Sequence, residues 1–180
     1  AYGGSLVDWN QLYPRIVESV REVDKNTPVL IGGNAFSSVR WLPFVDPVED
    51  SKAVYLFHQY EPMRYTHTWP LDTEGNFDVE YPGVFDVDWD GRDDVFDKSW
   101  LDNYFSTIDD YVDSYDVSVA STEFGCTRWS PGVEVFMDDE MGLFEERGIN
   151  SALWMWYPDW KPYAWNDENN FLHGIDPPFE

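Results

Sequence analysis

The sequence has one cysteine, Cys126, so it can form no internal disulfide and no cysteine-rich metal site. Its histidines, His58, His67 and His173, lack the spacing of zinc ligands, and no metal or cofactor is expected. Lysine is scarce, present only at Lys25, Lys52, Lys98 and Lys161. Lys and Arg total 11 against 35 Asp and Glu, a net charge of −24. Such a surface repels a phosphate backbone, so a nucleic-acid partner is excluded. No apolar run is long enough to span a bilayer and none reads as a signal peptide, so no membrane partner is expected. What the chain does have is acid and aromatic rings. An Asp-rich, Lys-poor surface is the usual look of a halophilic protein, self-repelling at low salt and screened at high salt. Asp86, Asp88, Asp90, Asp93 and Asp94 alternate around Gly91, but Asp97 stands where a calcium loop of the EF-hand type needs Glu, and a solvated acidic loop is the simpler reading. Aromatic residues make up 18% of the chain, with 10 Trp, as suits a groove that stacks flat ligands as well as an aromatic core.

At 180 residues the chain has room for one domain, taken as 1–180. From Asp8 to Asp24 apolar positions recur at three and four, a helix with Asp8 as N-cap that starts near Pro14 or kinks there. Val29–Gly33 reads as a strand buried on both faces, and Ala53–Tyr60 as a second strand with Val54, Leu56, His58 and Tyr60 on one face. Residues 63–98 are acidic and aromatic without clear periodicity, a loop of functional length. Residues 99–114 are helical, with Ser99 as N-cap. Val117–Gly125 is a β-branched, small-residue strand ending in the carboxylate of Glu123. Gly132–Arg147 is helical, weakened at Gly142 and closed by Gly148. Ser151–Tyr157 is a fourth strand with Trp154 and Trp156 on one face. Apolar strands alternating with helices predict an α/β fold with parallel strands and helical crossovers. In such sheets ligands bind beyond the carboxyl ends of the strands, where His58, Tyr60, Glu123, Trp154 and Trp156 fall.

These residues resemble the second half of glycoside hydrolase family 5, the retaining cellulase-type (β/α)8 barrels. His58-Gln59-Tyr60 resembles the sixth barrel strand, and Tyr65-Thr66-His67-Thr68 the segment that trails it. Thr122-Glu123-Phe124-Gly125 is similar to the Gly-Glu-Phe-Gly signature, with Thr in place of the first Gly. Trp154-Met155-Trp156 resembles the strand-eight tryptophan that floors a sugar subsite. The resemblance implies a half-barrel corresponding to strands five to eight, with Glu123 as nucleophile, Tyr60 donating a hydrogen bond to it and His58 lining the subsite. It implies that Trp154, Trp156, Trp69, His67 and Trp129 bind substrate, a β-glucan. His58 as a satisfied structural histidine and Trp156 as core remain open alternatives.

The resemblance also has a gap. Retaining chemistry needs a second carboxyl, carried in this family by an Asn-Glu-Pro on strand four, and no Asn-Glu-Pro occurs here. The chain then starts just after that glutamate. The expected partners are a second copy or a complementary N-terminal half that covers the sheet edges near Val29 and Leu153, with Asp159 as the spare carboxylate in a two-copy barrel. The family implies secretion. The alternative from another class is a catalytically inactive half-barrel that binds glucan or serves only in assembly.

Overall fold

The computed structural model describes residues 8–68, 76–128 and 130–154. Along the chain the elements are α1 (Trp9–Val23), β1 (Val29–Gly32), α2 (Asn34–Ser37), β2 (Ala53–Gln59), α3 (Met63–Thr66), β3 (Gly83–Phe85), β4 (Asp94–Phe96), α4 (Lys98–Tyr115), β5 (Ser118–Phe124), α5 (Val133–Glu146) and β6 (Asn150–Leu153). A parallel sheet has the order β1-β2-β5-β6, so β1 and β6 are its edges, as the sequence predicts. The chain divides into two compact units: one runs up to His58 and adds Ser106–Ala120, the other takes Gln59–Phe105 and the chain from Ser121. Among the described residues no helix is long and apolar enough to cross a membrane.

In the first unit, Asp8 caps α1 by accepting from the Asn10 N–H at 3.0 Å, and Tyr13 and Val17, one turn apart, are buried. The helix starts at Trp9 and runs on through Pro14, so it does not begin at the proline, the first of the two outcomes expected there. The cap and the buried pair outweigh the one N–H that proline lacks. β1 differs from expectation too: Ile31 is buried but Leu30 is 52% exposed, because an edge strand has a neighbour on one side only. In β2, Ala53, Tyr55 and Phe57 are buried while Val54, Leu56 and His58 are half-buried, which confirms the period-two face. The Tyr111 hydroxyl donates to the Val45 carbonyl at 2.8 Å, and its ring meets Tyr55 edge-on at 5.7 Å.

The second unit holds the segment 63–98 that the sequence left without structure. Its described part folds around aromatic rings. Tyr65 lies 5.4 Å from Phe96 and 5.1 Å from Phe136, and Tyr81 lies 4.9 Å from Phe96. The antiparallel hairpin of β3 and β4 presents Phe85 and Phe96 to this cluster, and Tyr65, Tyr81, Phe85 and Phe96 are all buried. Each of its strands is three residues long, too short for an alternating pattern to show. The cap of α4 is Asp97, whose carboxylate accepts from the Trp100 N–H at 3.0 Å; it replaces the predicted Ser99, which lies inside the helix. α5 closes as expected. Gly148 sits at φ 64° and donates to Glu145 at 3.0 Å, while Ile149 donates to Phe144 at 2.9 Å, the paired bonds of a Schellman cap.

Candidate active site

β5 positions its acid by alternation. Phe124 is buried with its ring edge-on to Phe144 of α5 at 5.3 Å, so Phe124 faces the helix side. Glu123, one residue earlier, is half-buried on the opposite face. The Tyr60 hydroxyl, one residue past β2, donates to Glu123 Oε2 at 3.1 Å. Burial, and then the adjacent Glu123 carboxylate, push the Tyr60 phenol far above its usual range. It therefore keeps its proton and remains a donor to Glu123.

The segment after β2 braces Tyr60. The Thr66 hydroxyl donates to the Tyr60 carbonyl at 2.5 Å and lies 2.9 Å from His67 Nδ1. The His67 ring meets the Tyr60 ring edge-on at 5.5 Å, and burial holds its pKa below the usual histidine range, so it is neutral at pH 7. Thr127 reaches back from beyond β5: its hydroxyl and its N–H both donate to the Thr66 carbonyl, at 2.7 and 2.8 Å. Trp154 lies just past the end of β6, and its N–H donates to the Phe124 carbonyl at 2.8 Å. β6 is thus Asn150–Leu153, with Trp154 following it, rather than the predicted Ser151–Tyr157.

The structure therefore brings together Glu123, Tyr60 and His67, and ties the backbone of Trp154 to the residue after Glu123. His58 is half-buried on β2 in the first unit, its backbone bridged to Ser38. Trp69, Trp129, Trp156 and Asp159 lie outside the described residues.

The carboxylates of Asp86, Asp88 and Asp90 approach within 4.8 Å of one another. They accept N–H groups of their own loop, from Asp90, Gly91 and Arg92.

Sequence reasoning passed over two features. Phe36, in α2 just past the carboxyl end of β1, is 93% exposed. It is the middle of three consecutive residues with left-handed φ, Ala35 at 48°, Phe36 at 56° and Ser37 at 58°, a conformation that costs energy in non-glycine residues. A lone Phe after Gly32-Gly33-Asn34 was the available signal. The second is Glu140, fully buried in α5, which the helical pattern hides among the acids of its outer face.

Comparison with known proteins adds the family. The model for "Cellulase (glycosyl hydrolase family 5)" matches residues 3–159. Among curated proteins the chain is similar to Endoglucanase C of Acetivibrio thermocellus, 34% identical over 82 residues that cover 43% of this chain and 24% of that protein. It is also similar to Endoglucanase H of the same organism, 29% identical over 148 residues, covering 72% of this chain and 15% of that protein. Among solved structures, endoglucanase Cel5A of the hyperthermophilic Thermotoga maritima superposes with a TM-score of 0.67 at 18% identity, over 90% of this chain and 51% of that one. The cellulose synthase subunit Z of Clostridioides difficile gives 0.65 at 19% identity, over 93% of this chain and 55% of that one. The chain thus spans about half the length of these solved relatives and no more than a quarter of the two endoglucanases. With a family model matched over most of its length, and a parallel α/β fold that agrees with it, the chain belongs to glycosyl hydrolase family 5.

Proposed function

We propose that the chain carries the nucleophilic half of a retaining β-glycosidase acting on β-1,4-glucan. The observation that carries this reading is the hydrogen bond from Tyr60 to the half-buried Glu123 at the carboxyl end of β5. One Glu123 oxygen attacks the anomeric carbon as the glycosidic C–O bond breaks, giving a glycosyl-enzyme ester. The leaving oxygen takes a proton from a second carboxyl about 5–5.5 Å from the first, and water then cleaves the ester. Tyr60 orients the carboxylate for the attack. His67, neutral, and Trp154 line the sugar, with His58, Trp69, Trp129 and Trp156 as further contacts. The reading assigns the second carboxyl either to an N-terminal half of the barrel or to a second copy in which Asp159 supplies it. The proposal puts the working enzyme outside the cell, in keeping with the family resemblance.

An activated substrate tests the nucleophile without the second carboxyl. A 2-deoxy-2-fluoro-β-cellobioside with a dinitrophenolate leaving group needs no acid for departure and leaves a slowly hydrolysed ester. Mass spectrometry is expected to find the sugar on the peptide containing Glu123 and to find none in Glu123→Gln. A label on another residue, or no label, would sink the assignment. A second reading is a glucan-binding half without catalysis. Retention on insoluble cellulose with no labelling of Glu123 selects it.

A further inference from the structure

Behind the Tyr60–Glu123 pair lies a polar group that the reaction does not use. Glu140 of α5 is 0% exposed, and neither of its carboxyl oxygens has a hydrogen-bond partner. Oε1 of Gln59, the last residue of β2, is likewise buried without a partner, and the Gln59 side chain is the polar neighbour of the Glu140 carboxyl. Gln59 uses its other end well: Nε2 donates to the Glu61 carbonyl at 2.7 Å, bridging the backbone on either side of Tyr60.

Orphaned acceptors buried inside a protein are costly, because each has lost water and gained no donor. A proton on Glu140 removes the problem. The neutral acid has a hydroxyl to donate and Gln59 Oε1 has a free lone pair to accept it. Among the described residues, Tyr60, Tyr81 and Cys126 feel the Glu140 charge, and none of these three brings a positive charge. Burial drives the Glu140 carboxyl well above the usual carboxylate range, with Gln59 opposing it.

We propose that Glu140 is a positioning residue, held as a neutral acid that donates to Gln59 Oε1 and so fixes, through Gln59 and the Glu61 carbonyl, the placement of Tyr60 against Glu123. The part of this that concerns Tyr60 rests on the nucleophile reading above; the Glu140–Gln59 bond does not.

The test uses Glu140→Gln, whose amide can still donate to Gln59, and Glu140→Leu, which fills similar volume without a donor. At pH 7 the infrared difference spectrum of wild type against Glu140→Gln is expected to show the C=O stretch of a protonated carboxylic acid. Labelling of Glu123 by the fluoro-cellobioside is expected to slow by about tenfold in Glu140→Leu, since a small misplacement of a reacting group has a large effect on rate. Glu140→Gln is expected to recover most of that loss, to within about twofold of wild type. A missing acid band overturns the proposal. A band with an unchanged labelling rate in Glu140→Leu overturns the positioning role. A band with no labelling of wild type sinks the nucleophile reading and the link to Tyr60, and leaves the buried acid–amide bond supported.

Discussion

A tyrosine that donates to a carboxylate does two things at once, and a single substitution separates them. Tyr60→Phe keeps the ring, its edge contact with His67 and its burial, and removes only the donor to Glu123. A hydrogen bond to a charged group contributes about 1.5–3 kcal/mol. Labelling of Glu123 is therefore expected to fall by about ten- to a hundredfold, with a stability loss no larger than about 1.5–3 kcal/mol, measured by labelling kinetics and calorimetry on the same preparation. His67 gives a second test, in pH. Its folded pKa is depressed by burial, whereas in the unfolded chain it titrates near about 6.5. As pH falls below that value the unfolded state binds a proton that the folded state refuses, so stability is full above it and declines toward the folded pKa. Denaturant melts of wild type and His67→Gln between neutral and mildly acid pH are expected to converge as the pH drops. Parallel curves would show that His67 does not titrate as its burial requires. Glu140 has the opposite sign. Its folded pKa is raised, so its stabilising proton is fully present below the unfolded value of about 4.3 and the contribution is lost as pH rises toward the folded pKa.

At the level of elements, the two glycines of α5 predict opposite outcomes. Gly142 lies inside the helix, and an added Cβ would find only the Lys98 ammonium, 4.0 Å away. Gly142→Ala is expected to stabilise the protein by about 0.5–1 kcal/mol, through a better helix former and a less flexible unfolded chain. Gly132 starts the same helix at φ 80°, and an added Cβ would run into the Tyr81 carbonyl. That backbone is pinned, because the Tyr81 N–H and the Tyr65 hydroxyl both donate to the Pro131 carbonyl, at 3.0 and 2.9 Å. Gly132→Ala is expected to cost more than 1 kcal/mol, roughly the left-handed penalty alone. Calorimetry showing both alanine variants shifted in the same direction would contradict the helix start described for α5. The same contrast explains what the sequence could disclose. The strands β2 and β5, the long helices and the Schellman end at Gly148 follow from periodicity and local turn chemistry, and the edge positions of β1 and β6 from the family resemblance; all were readable. So was the pairing of Tyr60 with Glu123, carried by family motifs. The hairpin of β3 and β4, the cap at Asp97 and the buried Glu140 were not. Each is decided by tertiary contact: rings gathered about Tyr65, the exact register at which α4 begins, and the inward turn of one acid among many.

The whole molecule is governed by charge. With a net −24, and described ion pairs such as Arg21–Asp50 and Arg64–Asp78 that engage only a few of its acids, most of its carboxylates repel one another through solvent. Screening shortens the reach of that repulsion from about 10 Å at 0.1 M salt to about 3 Å at 1 M. The melting temperature is therefore expected to rise with KCl through the molar range, whereas added sucrose at matched osmolality does not reproduce the screening. Repulsion also acts between copies. The edge strand β1 exposes Leu30, and α1 exposes Ile16, Val20 and Val23, so there is apolar surface for a partner to cover. Two copies bring their negative charges together, however, and hydrophobic burial can win only where salt screens them. Closure by a second copy thus predicts a folded monomer in dilute buffer that dimerises as KCl rises, followed by light scattering at micromolar protein with circular dichroism to confirm folding. A folded monomer at every salt concentration would rule out the second copy and leave a complementary N-terminal half as the partner. The two partners also differ in where they supply acid. Salt-induced dimers are expected to hydrolyse an unactivated glucan through Asp159, and Asp159→Asn is expected to abolish that activity while leaving the labelling of Glu123 intact.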